Sequence, residues 1–266
     1  MKESFRKKYG PWALVAGAGE GLGAAFCRSL ARRGLNIILV DVKTDPMVKL
    51  SQELEAKADI QCLTIPLDLN EQETVGQLLE IMQHKDCKLL VYNAAHGPVQ
   101  AFLDNTPKEL DRHLQINART PLHLVYGFAQ HLVKHQKTGG IILMSSLAGL
   151  FGTQLVATYG ATKAFNYNLG EALFHELKPH GIDVLACCAG AMDTPNYQNT
   201  NPRYGLLKPK VMKPKKVSEK AVKTLGKKGL VIPGFSNRLN YFILSRLLPR
   251  PVASRLFNRT MKKMYE

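Results

Sequence analysis

Tyr159 and Lys163 stand four residues apart, and Ser146 lies thirteen residues before Tyr159, directly after the apolar run Ile141-Ile142-Leu143-Met144. On a helix, positions i and i+4 share a face, so the spacing expects the Lys163 ammonium beside the Tyr159 phenol. A free phenol titrates near pH ~10, too high for a base at neutral pH. A neighbouring cation favours the phenolate and lowers that value. A serine hydroxyl at the mouth of the preceding strand would hold a substrate oxygen while Tyr159 moves the proton. A Tyr-x-x-x-Lys pair alone also arises by chance on a helix face, so its weight depends on the elements that would position it.

Trp12-Ala13-Leu14-Val15-Ala16 reads as a short buried strand. It runs into the turn Gly17-Ala18-Gly19-Glu20-Gly21-Leu22-Gly23 and then into a helical stretch from Ala24 to Ala31. Glycines in a strand-to-helix turn let the backbone approach a pyrophosphate, whose charge sits at the helix N-terminus. A second strand, Asn36–Val40, ends at Asp41. An acid there accepts hydrogen bonds from both ribose hydroxyls of an adenosine and repels a 2′-phosphate. Further strands are expected at Ile60–Leu67, Lys88–Ala95, Gly140–Ser146, Ile182–Ala189 and Leu230–Gly234. Helices are expected at Pro46–Lys57, Glu71–His84, Pro107–Lys134 and Val156–Lys178. This unbroken alternation predicts an α/β fold: one doubly wound, Rossmann-type parallel sheet of about seven strands, helices on both faces and a C-terminal helical extension.

With those elements in place the chain resembles a short-chain dehydrogenase/reductase over roughly residues 10–195. The Gly-x-x-x-Gly-x-Gly cofactor turn is matched by Gly17, Gly21 and Gly23, with Gly19 and Leu22 inside it. The resemblance places Asp68 and Leu69, after the third strand, against the adenine ring. Asn93-Ala94-Ala95 stands for the family's Asn-Ala-Gly, and Asn117 for its catalytic asparagine. Ser146, Tyr159 and Lys163 complete the tetrad. After strand six, Ala189-Gly190-Ala191-Met192-Asp193-Thr194 matches the Pro-Gly-x-x-x-Thr loop, which implies that Gly190 and Thr194 hold the nicotinamide carboxamide. Three positions depart from the pattern: Ala16 lacks a hydroxyl that braces the turn, Ala95 adds a methyl near the cofactor, and Ala189 leaves the loop less rigid than proline would. None of the three removes a catalytic atom.

The charge is unevenly spread. Residues 1–195 carry 19 Lys and Arg against 19 Asp and Glu, so the whole net charge of +15 lies in the last 71 residues, with 17 basic residues against Glu219 and Glu266. That segment divides into a Pro- and Lys-rich substrate lid, Asn196–Lys216, and a basic tail, 236–266, with helical stretches expected at Leu239–Leu248 and Val252–Met264. A basic amphipathic tail suits an anionic membrane surface or an anionic substrate carrier, or else is a solvated face packed on the domain. No apolar stretch reaches the ~20 residues that a membrane span requires. Nucleic acid is not expected as a partner.

Cys27, Cys62, Cys87, Cys187 and Cys188 form no Cys-x-x-Cys pair, and four lie in apolar patterns, which favours reduced thiols in a cytoplasmic compartment and no metal. Lys2, Arg6, Lys7 and Lys8 precede an apolar stretch as in a secretion signal, but that stretch is needed as the first strand, so no cleaved signal is expected. The resulting expectation is an NAD-dependent oxidoreductase, NADP being less favoured, that transfers a hydride between the nicotinamide and a secondary alcohol or ketone. The resemblance to 3-oxoacyl reductases and hydroxysteroid dehydrogenases implies a hydrophobic substrate and a homodimer or homotetramer; Phe165, Leu169 and Leu173 would supply the contact stripe. The alternative is a non-catalytic redox sensor or membrane-surface scaffold that keeps the nucleotide fold.

Overall fold

The computed structural model describes residues 2–203 and 211–265, so the middle of the expected lid, 204–210, lies outside the described residues. Seven parallel strands form one sheet in the order β3-β2-β1-β4-β5-β6-β7. They are β1 Trp12–Ala16, β2 Asn36–Asp41, β3 Cys62–Pro66, β4 Cys87–Tyr92, β5 Gly139–Ser146, β6 Ile182–Ala189 and β7 Leu230–Val231. Helices α1 Lys2–Tyr9, α2 Gly21–Ala31, α3 Thr44–Lys57, α4 Thr74–His84, α5 Pro107–Leu114, α6 Thr120–Lys134, α7 Ala157–Leu177, α8 Pro195–Gln198, α9 Pro214–Thr224, α10 Phe235–Phe242 and α11 Arg250–Tyr265 surround it.

The central strands are continuous apolar runs because both faces are covered. Successive residues of β1 show the division: Ala13 and Val15 face the side packed by α2, α3 and α9, whereas Trp12, Leu14 and Ala16 face the side packed by α4, α6 and α7. Chain order reverses between β1 and β4, and in an open parallel sheet the crevice beyond the strand ends at that point is where ligands bind.

Three local expectations are corrected. β4 stops at Tyr92 rather than Ala95: the Asn93 N–H still donates to the Ala16 carbonyl (3.1 Å), and its side-chain amide holds the Gly17 carbonyl (2.8 Å). β7 holds only Leu230–Val231, since Pro233 has no N–H to continue a ladder. The expected single helix Pro107–Lys134 is two helices joined by a π-turn over Gln115–Arg119, the segment that carries Asn117. The N-terminal basic run is a helix: Tyr9 is buried, its hydroxyl donates to Asp183 (2.5 Å), and Lys8 pairs with the same carboxylate. α9 also went unread; its Glu219 is bonded to Ser29, Arg32 and Arg33 of the α2 region. All five cysteines are free thiols, and among the described residues no helix is long and apolar enough to cross a membrane.

Candidate active site

The glycine turn sits at the carboxyl end of β1 and the start of α2. Gly17 has φ +74°, and a side chain there would strike the Ala94 backbone at 2.7 Å; Gly23 lies so close to the Gly17 carbonyl that no Cβ fits. Main-chain N–H groups of Gly17 and Ala18 donate to the Val40 carbonyl, and the Asn93 amide holds the Gly17 carbonyl, which braces the turn without the hydroxyl absent at Ala16. The α2 N-terminus has no side-chain cap and no acid in its first turn, so its N–H groups and dipole are left for an external anion. This cradle fits a dinucleotide pyrophosphate.

Asp41 closes one side of the cradle. One carboxylate oxygen accepts from the Gly19 N–H (2.9 Å) and the other from the Lys43 N–H (3.1 Å), while the Lys43 ammonium pairs with Glu20 (3.0 Å). Asp68 caps its own turn through the Asn70 N–H, and the carbonyl of buried Leu69 accepts from Thr120. Opposite, Thr194 lies over Gly21, whose Cβ would meet it at 3.0 Å, and also caps α8 through the Tyr197 N–H. Gly190 follows β6 directly.

The four tetrad residues converge beyond the ends of β4 and β5. Ser146 ends β5, and α7 presses on the turn behind it: a Cβ at Gly149 would meet the Lys163 and Ala164 backbone within 2.7 Å, and one at Gly160 would meet the Ala148 carbonyl at 2.8 Å. That close contact fixes Tyr159 against Ser146. Lys163 is only 3 % exposed; its ammonium lies 5.5 Å from the centre of the Tyr159 ring and donates to the Met144 carbonyl (3.1 Å). Burial brings the Lys163 pKa down to about 8. Burial also raises the Tyr159 phenol, and the neighbour that works against this rise is the Ser146 hydroxyl. The expectation that Lys163 depresses the Tyr159 pKa is therefore corrected: in the protein alone its charge is turned to a main-chain carbonyl.

Asn117 is fully buried and acts as a clamp. Its side-chain oxygen accepts from the His96 N–H (2.8 Å), and its amide donates to the His96 carbonyl (2.7 Å) and to Thr162 (3.2 Å). Its own carbonyl accepts from Asn166 (2.9 Å). The clamped segment continues into Gly97, where a Cβ would sit 2.5 Å from the Tyr159 ring. Gly97, Thr162, Asn166 and Ser145, which donates to the Lys163 carbonyl (2.7 Å), were missed in the sequence. Only Gly97 left a signal there, as a glycine soon after a strand end; the others are ordinary polar residues whose partners are distant in the chain.

A cavity of about 590 Å³ opens beside this cluster, walled by Ala95–Gln100, Leu155, Asn196, Asn199, Thr200 and Tyr265. Helix α11 closes it. The Arg203 N–H donates to the Met264 carbonyl (2.8 Å), Thr200 and Tyr265 share a hydrogen bond (3.1 Å), and Asn258 of α11 bonds Gly152 and Gln154. Asn237 of α10 is buried against Gly190, whose Cβ would lie 2.7 Å from the Asn237 amide nitrogen.

The family model described as short chain dehydrogenase matches residues 11–205. The chain is 27% identical over 235 residues to the 7beta-hydroxysteroid dehydrogenase of Clostridium sardiniense, covering 88% of this chain and 90% of that one. It is 35% identical over 186 residues to the very-long-chain 3-oxoacyl-CoA reductase of Aspergillus oryzae, covering 68% of this chain and 53% of that one. A solved structure of a 7beta-hydroxysteroid dehydrogenase superposes with TM-score 0.87 at 23% identity, covering 95% of this chain and 98% of that chain, a likeness of fold. The family match, the switch-point cradle and the residues gathered beyond β4 and β5 lead to one conclusion: the chain belongs to the short-chain dehydrogenase family of NAD(P)-dependent oxidoreductases.

Proposed function

We propose that this oxidoreductase interconverts a secondary alcohol and a ketone on a hydrophobic substrate of the acyl-chain or steroid class, with NAD as its preferred cofactor. The observation that carries the reading is the Tyr159 phenol, half-buried beside the Ser146 hydroxyl and next to a cavity of about 590 Å³. The two relatives act on a 7beta-hydroxysteroid and on a very-long-chain 3-oxoacyl-CoA by their names, which supports the substrate class.

Bound in the cradle, the nicotinamide would supply the hydride chemistry. Gly17, Gly19, Gly21, Leu22 and Gly23 would hold its pyrophosphate, with Asn93, Ala94 and Ala95 flooring the turn. Asp68 and Leu69 would border the adenine, and Gly190 and Thr194 the carboxamide. Ser146 donates to the substrate oxygen and orients it, while Tyr159 gives or takes the proton on that oxygen. Lys163 would hold the nicotinamide ribose, and a pKa of about 8 lets it pass a proton near neutral pH. Asn117 positions Tyr159 through His96–Gly97, and its carbonyl would anchor the water that carries the proton out. Asp41, already aimed at the Gly19 N–H, would accept from the adenosine ribose and disfavour a 2′-phosphate. Glu20 adds a second negative charge, offset by Lys43.

We read the chain as one domain with a cytoplasmic site of action, assembled as a homodimer or homotetramer. On α7, Leu169 and Leu173 lean on their own sheet but also line a groove with Leu122, Val125 and Tyr126 of α6, and Phe165 is exposed beside them. Light scattering that finds a monomer at micromolar concentration rejects the assembly. Turnover of a panel of steroid and 3-oxoacyl alcohols and ketones, with NAD and NADP affinities measured alongside, tests the reaction. Tighter NADP than NAD binding overturns the cofactor preference. Cofactor binding without turnover of any substrate would favour the alternative, a nucleotide-binding sensor or scaffold.

A further inference from the structure

Helix α10 and the π-turn Ile243–Leu247 that continues it have two apolar faces. The inner face carries Asn237, Tyr241, Leu244 and Leu248, at i, i+4, i+7 and i+11, all buried or half-buried against the domain. A helix packed this way ordinarily turns a polar face outward. Here the outward positions are Phe235, Leu239, Phe242, Ile243 and Leu247, at i, i+4, i+7, i+8 and i+12, and all are exposed; Phe235 is 73 % exposed. Arg238 and Arg246 share that face. Among the described residues, seven of the sixteen exposed large apolar side chains lie between 235 and 256, a concentration that scattered surface hydrophobes do not produce.

The next helix supplies charge instead. α11 packs inward through Ala253, Phe257 and Met264, and turns Arg255, Arg259 and Lys263 outward along one flank. Residues 235–265 carry seven Lys and Arg and no Asp or Glu. An apolar stripe edged by arginines, followed by a basic helix, is complementary to a surface that is apolar inside and anionic at its boundary. An acidic protein would meet the charge but leave the phenylalanines and leucines in water.

We propose that α10, its π-turn and α11 form a docking surface for an anionic phospholipid bilayer. The aromatic and aliphatic stripe enters the headgroup–acyl boundary, while the arginine stems lie along it and their guanidinium groups reach the phosphates. This deepens the proposed function, since substrates of the acyl-chain or steroid class partition into the same bilayer, and it rests on that reading for the substrate only. Docking and site share a helix: the outer face of α10 would meet lipid, while Asn237 on the inner face backs Gly190.

The test uses the full chain and sedimentation with vesicles of phosphatidylcholine mixed with phosphatidylserine, or of phosphatidylcholine alone, at low and high salt. We expect pelleting with the anionic vesicles that weakens as salt rises. Each basic side chain near such a surface contributes about fivefold in partition, so Arg238→Gln with Arg246→Gln should weaken binding by roughly 30-fold. Phe235→Ser with Phe242→Ser should abolish it and leave the unfolding midpoint and turnover of a soluble ketone unchanged. Equal or negligible pelleting with both vesicle types overturns the proposal. So does salt-sensitive binding to an acidic carrier protein with vesicles ignored, or a change in oligomer size in the Phe235/Phe242 variant without vesicle binding by the unmodified chain. Turnover of the soluble ketone is scored separately: a chain that docks but does not turn over sinks the enzymatic reading and leaves the docking surface standing.

Discussion

The region from β1 to β6 and the region after Thr194 contribute to the same cavity by different means. The first is electrically balanced, and its site groups are held by main-chain hydrogen bonds and by glycines at which a side chain would collide. The second carries the net charge of +15, and its described helices reach the first from outside, through Asn237 on Gly190 and Asn258 on Gly152 and Gln154. The contrast separates two tasks. Cofactor and proton chemistry demand fixed backbone geometry, which strand ends and tight turns provide. Shaping a pocket for one substrate demands only packing on that frame, so a late segment of quite different composition can do it.

The largest effect should come from breaking the chemistry while both regions stay intact. Tyr159→Phe keeps the ring that packs on Gly97 and removes the hydroxyl, so turnover should fall by on the order of 10²–10⁴-fold with cofactor affinity and melting temperature unchanged. Near-normal turnover in that variant would mean that the reaction centre lies elsewhere.

A smaller effect should come from cutting a tie between the regions. Burial alone would raise the Glu219 carboxyl, but hydrogen bonds from Arg33, Arg32 and Ser29 hold it down at about 2. A carboxyl pKa lowered on folding adds stability that is present above its unfolded value and lost as pH falls through the folded one. With solvent screening of these partly exposed partners, Glu219→Gln should therefore cost about 2 kcal/mol at neutral pH, and the two proteins should converge in stability as pH falls from about 4.5 to about 2. A gap that is constant across that window would show that the carboxylate charge is not what joins α9 to α2.

The smallest effect probes the contact at the site itself. Gly190→Ala should destabilise by about 1–3 kcal/mol through overpacking on Asn237 and weaken cofactor binding. Asn237→Ala in the same chain should restore part of both, because the two changes share one contact. Strict additivity in melting and cofactor titrations would dissolve the link between tail and cofactor loop.

How far the sequence could be read follows the range of the interactions involved. The central strands, the glycine turn, Asp41 and the Tyr159–Lys163 spacing were legible because each is a local pattern: an apolar run, a left-handed φ that only glycine takes easily, a helical repeat. The break at Gln115–Arg119 was hidden because helical periodicity runs through a π-turn almost unchanged. α1 was hidden because its short basic run is anchored by Asp183, some 174 residues away.

The order of residues by itself thus determined the parallel α/β frame, the dinucleotide cradle and which side chains can carry a proton, since those depend on backbone constraints a few residues long. Only the tertiary structure decided where their atoms point. It turned the Lys163 ammonium to Met144, closed Asn117 around His96, set Gly97 under the Tyr159 ring and left an apolar stripe of α10 facing outward. Each of these depends on a contact between segments far apart in the chain, and a contact of that kind has no period or spacing to betray it.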